Sequence, residues 1–223
     1  MPINHPYAGP DELPELIPLF PLDGALLLPR CQLPLNIFEP RYMEMVDRAL
    51  AGARLIGMIQ TDAKGVGLGD PHLAPVGCVG RITEIAETGN GRYVMNLTGV
   101  ARFRLVREVP SENAFRVGAV DFGGFTDDFV PDRGADAVDR SAVLRTLADY
   151  LEANTLEADW DNIKSTPNEA LVNGLAMMAP FGVREKQALL EAPDLRSRAD
   201  ILIAVTEMSL VRATAEGGDA PLQ

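Results

Sequence analysis

Histidine, cysteine and tryptophan are scarce in this chain: 223 residues include two histidines, two cysteines and one tryptophan. Cys31 and Cys78 show no Cys-x-x-Cys spacing, and only His5 and His72 could add imidazole, so a Cys/His zinc site is excluded and no metal is expected. Both cysteines read as reduced, small apolar side chains. A Ser/His/Asp triad would have to recruit His5 from a proline-rich start or His72 from a Gly/Pro-rich loop, and no Gly-x-Ser-x-Gly or His-Glu-x-x-His motif occurs.

Phosphate-binding loops are missing too. Only Lys164 is followed by Ser or Thr, and Ile163 stands where a Walker A loop needs glycine to bring its amides to the phosphate. The run Gly65-Val66-Gly67-Leu68-Gly69 continues with Asp70, so it does not complete Gly-x-Gly-x-x-Gly and reads as a surface loop. No cofactor is expected. Basic residues are few, 20 Lys and Arg against 32 Asp and Glu, and a net charge of −12 repels phosphate backbones and anionic lipid. Apolar runs such as 25–28 and 201–205 fall far short of the ~18 residues of a membrane span. The start, Met1-Pro2-Ile3-Asn4-His5-Pro6, lacks the basic and apolar regions of a secretory signal, so a cytoplasmic protein with no membrane partner is expected.

What remains is a foldable chain: 47% hydrophobic and 23% charged residues place it among globular proteins, with material for a core and no need of staples. Residues 1–15 read as an extended lead-in. From 16 to 122 short apolar segments alternate with Pro and Gly, namely 16–22, 25–28, 33–38, 55–60, 78–85, 93–98, 103–107 and 115–120, as in a small barrel or sandwich. Tyr93, Met95 and Leu97 alternate with polar neighbours after the turn formers Gly89-Asn90-Gly91, which predicts a hairpin strand. Alternation also puts Phe103 and Leu105 on one strand face and Arg102 and Arg104 on the other. Pro40 suits the first position of a helix carrying Tyr42, Val46, Ala49 and Leu50.

Residues 123–136 are rich in Gly and Asp and read as a linker. Beyond it, 137–214 reads as a helical bundle. Val143, Leu144, Leu147 and Leu151 form a stripe, Thr166-Pro167-Asn168-Glu169 has the capping-box pattern, and helices are predicted over 183–191 and 195–214. Residues 215–223 read as a disordered tail.

The segments Leu16-Ile17-Pro18-Leu19-Phe20-Pro21-Leu22, Leu28-Pro29 and Leu33-Pro34-Leu35-Asn36-Ile37-Phe38-Glu39-Pro40-Arg41-Tyr42 resemble the opening of the Lon protease N-terminal domain family. Gly77 to Ile82, Gly91-Arg92-Tyr93, Leu97 to Arg104 and the helical stretch 175–194 are similar to its later elements, in order. The resemblance implies an α+β chain, a PUA-like β pseudobarrel followed by a C-terminal α-helical bundle, in a family that engages substrate polypeptides. The ATPase and Ser/Lys peptidase parts of Lon have no counterpart here, so a non-catalytic module is expected, an adaptor or chaperone-like factor in protein quality control. Its partners would be unfolded or extended polypeptide and a separate protease, with no nucleic acid.

The candidate polypeptide-binding residues are Phe38, Arg41, Tyr42, Arg102 and Arg104. Arg41 and Tyr42 have two readings, as scaffold of the first helical turn or as partner contacts. The two arginines of the strand face read as solvated or as contacts to an anionic partner. Trp160 reads as a packing anchor between helices or an exposed binding aromatic. Two rival functions stand beside polypeptide binding: an RNA-binding PUA-like protein, by fold analogy alone, and a hydrolase or transferase whose polar pocket no motif betrays.

Overall fold

The structure, a computed structural model, describes residues 4–62, 72–89 and 91–217, with side chains to 212. The glycine run 65–69, Asn90 and most of the segment read as a tail lie outside the described residues. The chain divides into two compact units, Met1–Pro131 and Asp132–Gln223.

Among the described residues the first unit holds six strands, β1 (Leu16–Pro21), β2 (Gln32–Ile37), β3 (Leu55–Ile59), β4 (Val76–Thr88), β5 (Arg92–Val109) and β6 (Arg116–Asp121), and one α-helix, α1 (Pro40–Leu50). The order is β2-β5-β4-β3-β1-β6, and β6 also pairs with β5, so five strands close a ring that β2 extends along the first half of β5. With the helices that follow, this closed ring makes the chain α+β, a β pseudobarrel before a helical unit. All neighbours are antiparallel except β1 and β3, which run parallel with Leu19 opposite Gly57. Ile17, Leu19, Leu55, Val79 and Phe103 fill the interior. Gly77 makes room for them, since a Cβ there would lie 2.4 Å from the Phe103 ring and 2.5 Å from the Met58 carbonyl oxygen.

Three strand expectations change. Residues 93–98 and 103–107, read as separate strands, are halves of the continuous β5, because Gly99 stays within the ladder. Residues 25–28 form no strand, yet Leu26, Leu27 and Leu28 are buried. They form a loop tied to β5 by Arg30 N–H donating to the Gly99 carbonyl and Gly99 N–H to the Cys31 carbonyl, each at 2.8 Å. Third, Arg102 does not face solvent. The segment 123–129, read as linker, winds into a 3₁₀ helix packed against β5, and β5 is covered on both faces there.

Helix α1 forms where its pattern predicts, with Tyr42, Val46 and Ala49 buried, but Met45 completes the buried stripe in place of Leu50, which is exposed at the last position of the helix; the Phe20 and Tyr42 rings meet with centroids 4.3 Å apart.

The second unit consists of α2 (Arg140–Ala153), α3 (Trp160–Ser165), α4 (Asn168–Met178), α5 (Val183–Glu191) and α6 (Leu195–Gly217), with α2, α4 and α5 each packed against α6. Asp139, Asp159 and Asp194 accept backbone N–H groups at the starts of α2, α3 and α6. The capping box at 166–169 does not form. Thr166 Oγ1 donates to the Asn162 carbonyl, Glu169 accepts the N–H of Asp132, and Pro167 opens α4 without a side-chain cap. Arg140 takes over the junction, its guanidinium donating to the carbonyls of Ile163, Lys164 and Thr166 and to Asn168 Oδ1 at 2.7–2.9 Å. Trp160 is half-buried at the first position of α3, a helix that the sequence pattern left unassigned.

Candidate functional site

An apolar hollow of about 450 Å³ lies in the helical unit. From α2 it takes Val143, Thr146, Leu147, Tyr150 and Leu151, an i, i+3, i+4, i+7, i+8 set on one helix face. The end of α4 and the following turn add Leu175, Met178, Pro180 and Phe181, and α6 adds Leu202, Ile203 and Thr206. Thr206 turns its hydroxyl back onto its own helix, donating to the Leu202 carbonyl at 2.7 Å, which leaves the surface apolar. Leu156 and Met178, 52% and 77% exposed, stand at the mouth, where a buried core would place polar residues.

No charged side chain lines this groove. Its chemistry is therefore non-directional burial of apolar side chains, suited to sequence-tolerant binding rather than to bond making or breaking. Among the described residues no group of three or more His, Cys, Asp and Glu could hold a metal ion, and no helix is long and apolar enough to cross a membrane.

The structure scatters the sequence-predicted residues over the β unit. Phe38, 59% exposed, follows β2 with the Arg92 guanidinium 5.8 Å from its ring centre. Arg41 is exposed and pairs with Glu39 at 2.8 Å while lying over the Tyr42 ring at 4.5 Å. Tyr42 is buried; burial pushes its phenol pKa up, and the Arg41 charge works against that rise. Arg41 and Tyr42 share a small hollow with Arg116 and Phe115, which Phe38 and Arg104 do not line.

Arg102 and Arg104 part company. Arg104 is exposed on β5, whereas Arg102 is 3% exposed, its guanidinium on the Asp128 carboxylate at 2.8 Å and 4.7 Å from the Phe125 ring centre. The expected two-arginine face therefore does not exist. Of the stripe read from the sequence, Val143, Leu147 and Leu151 line the groove, joined by Tyr150 on α2 and by Leu156 beyond its end, two apolar residues that the pattern did not single out.

Comparison with known proteins agrees with the architecture. Residues 16–206 match the family described as the ATP-dependent protease La (LON) substrate-binding domain, and the chain belongs to that family. It is 24% identical over 192 residues to a Lon protease of Desulfosudis oleivorans and 28% identical over 209 residues to one of Parabacteroides distasonis, covering 84% and 88% of this chain. The chain spans about a quarter of the length of these relatives, 23% and 24%. A Lon N-terminal domain protein from Xanthomonas campestris superposes with a TM-score of 0.60 at 25% identity, over 85% of this chain and 97% of that one. The N-terminal domain of the Mycobacterium avium complex Lon protease gives 0.62 at 17% identity, covering 86% and 98%, a likeness of fold.

Proposed function

We propose that the chain binds unfolded or extended polypeptide through the apolar groove of its helical unit and performs no chemistry on it. The observation that carries this reading is the groove: about 450 Å³ of uncharged surface with Leu156 and Met178 exposed at its mouth, in a family named for substrate binding. Two leucine-sized side chains buried there contribute ~3–6 kcal/mol. After ordering costs, affinity is set in the micromolar range, about −8 kcal/mol.

In this reading the protein is an adaptor or chaperone-like factor of the cytoplasm that presents clients to a separate protease, and Phe38 is a secondary apolar contact. It turns over neither ATP nor protein, since the matched region corresponds to a substrate-binding domain and Ile163 breaks the one lysine context resembling a phosphate loop. RNA, the rival ligand, is disfavoured by the net charge of −12 and by the burial of Arg102 against Asp128.

The test is titration of a permanently reduced, unfolded protein. Binding should show a negative heat-capacity change and little loss with salt. Met178→Glu, at an exposed position, should weaken it at least tenfold without moving the melting temperature. Unchanged affinity in Met178→Glu would remove the groove from the mechanism.

A further inference from the structure

The β unit contains a second hollow, of about 320 Å³, whose chemistry is the opposite of the helical groove. It lies beside β4 and β5, and its charged lining residues are Arg30, Arg81 and Asp128. The Asp128 carboxylate is already neutralised, because it accepts the backbone N–H, Nε and Nη2 of Arg102 at 2.8–2.9 Å. The wall of the hollow thus carries two guanidinium groups, Arg30 and Arg81, and one carboxylate that Arg102 already holds, in a chain of net charge −12.

Arg81 is the more telling of the two. It is 8% exposed, its Nη1 donates to the His5 carbonyl at 2.8 Å, and its guanidinium lies 4.2 Å from the Tyr7 ring centre. A guanidinium carries five donors, and His5 is the hydrogen-bond acceptor that the described residues supply. A buried cation held by one carbonyl and one ring face favours an anion within reach of its remaining donors. Arg30 is exposed, sits in the left-handed region at φ 64° and donates to the Asp128 carbonyl.

The rest of the wall decides which anion. Pro6, Tyr7, Val100 and Phe129 make it largely apolar, and Thr83 and Thr98 join hydroxyls 3.0 Å apart. A phosphodiester backbone requires cations spaced along a track. Two arginines in one partly apolar hollow instead match a carboxylate with an apolar side chain next to it.

We propose that this hollow binds the free C-terminal carboxylate of a polypeptide, with Arg81 and Arg30 on the carboxylate and the apolar wall around the last side chain. The proposal rests on the polypeptide-binding reading for the nature of its ligand, but it uses a different site in the other unit.

The experiment titrates the full chain with two N-terminally labelled, unstructured octapeptides of one sequence ending in leucine, one a free acid and the other a C-terminal amide. Fluorescence anisotropy should show the acid binding at least tenfold more tightly. Arg30→Gln, at an exposed position with its melting temperature checked, should bring that ratio close to one, and Arg81→Gln should do the same if it folds. Met178→Glu should weaken both peptides and preserve the ratio, so failure of the groove is read from the amide and failure of this site from the ratio. Equal affinity for acid and amide overturns the proposal. So does a ratio that survives Arg30→Gln or collapses in Met178→Glu, or displacement of the acid by an equimolar single-stranded RNA.

Discussion

Arg102 and Asp128 are joined twice over: the Asp128 carboxylate accepts both the guanidinium and the backbone N–H of Arg102, 26 positions away, with both side chains buried. A group with so many bonds out of water is costly to leave alone. Asp128→Ala strands a buried cation and should cost about 3–5 kcal/mol. The paired replacement Arg102→Met with Asp128→Leu should recover most of that loss, since neither charge is then stranded. Hydrogen exchange of the β5 amides in increasing urea measures both variants; equal losses in the single and double variants would count against the ion pair as the cause.

Gly99 and Gly174 should respond in opposite directions to alanine. A Cβ on Gly99 would lie 2.0 Å from the Leu28 carbonyl oxygen, a backbone atom that cannot swing aside, so Gly99→Ala should destabilise by at least about 1–3 kcal/mol. Gly174 lies inside α4 with nothing within 4 Å of its Cβ position, and Gly174→Ala should stabilise by ~0.5–1 kcal/mol. Melting temperatures of the two variants decide the matter by their sign.

Asp194 caps α6 by accepting the Ser197 N–H at 2.7 Å, and that backbone hydrogen bond holds its carboxyl below the ordinary carboxylate range. The folded pKa is then lower than the unfolded one. The stabilisation is complete above the unfolded value of about 3.9 and is lost as pH falls through the lower folded value. Asp194→Ala should cost about 1 kcal/mol at pH 7. Melts at pH 7, 5 and 3 should show the gap between wild type and variant constant over the first two and closing at the third.

Arg41 in the first helical turn suggests from sequence a side chain tying α1 to the barrel, worth about 1–3 kcal/mol as a hydrogen bond from a charged group. The structure gives it a local partner, Glu39, with the two side chains 52% and 43% exposed. An exposed pair contributes ~0–1 kcal/mol, so Arg41→Ala should shift the melting temperature little. A loss of several kcal/mol would require a contact beyond Glu39 and Tyr42.

Legibility followed the range of the forces. Period-two and helical patterns are local, so β1, β2, β3, α1, α5 and α6 could be read from the chain. Arg102 misled because its burial depends on Asp128, contributed by a Gly/Asp-rich stretch whose composition imitates a linker. Alternation predicts two strand faces but says nothing about what later covers one of them. The 166–169 motif misled for a similar reason, since the Asn162 carbonyl takes the Thr166 hydroxyl and N–H, and the Asp132 N–H takes the Glu169 carboxylate, groups that a capping box would use. The groove was hidden by ambiguity: an apolar helical stripe looks the same whether it faces a neighbouring helix or a cleft.

The pairing of Leu16 with Ala119 across β1 and β6 sets a clock on the ribosome. About 100 residues separate these partners, so at ~5–20 residues per second the first strand waits about 5–20 s for the strand that closes the ring beside it. During that interval Ile17 and Leu19 have no completed barrel to enter, and one edge of β1 presents unpaired backbone donors and acceptors. A chain proposed to hold other unfolded polypeptides thus spends its own synthesis as one, and slowing translation between β3 and β6 should increase its capture by nascent-chain chaperones.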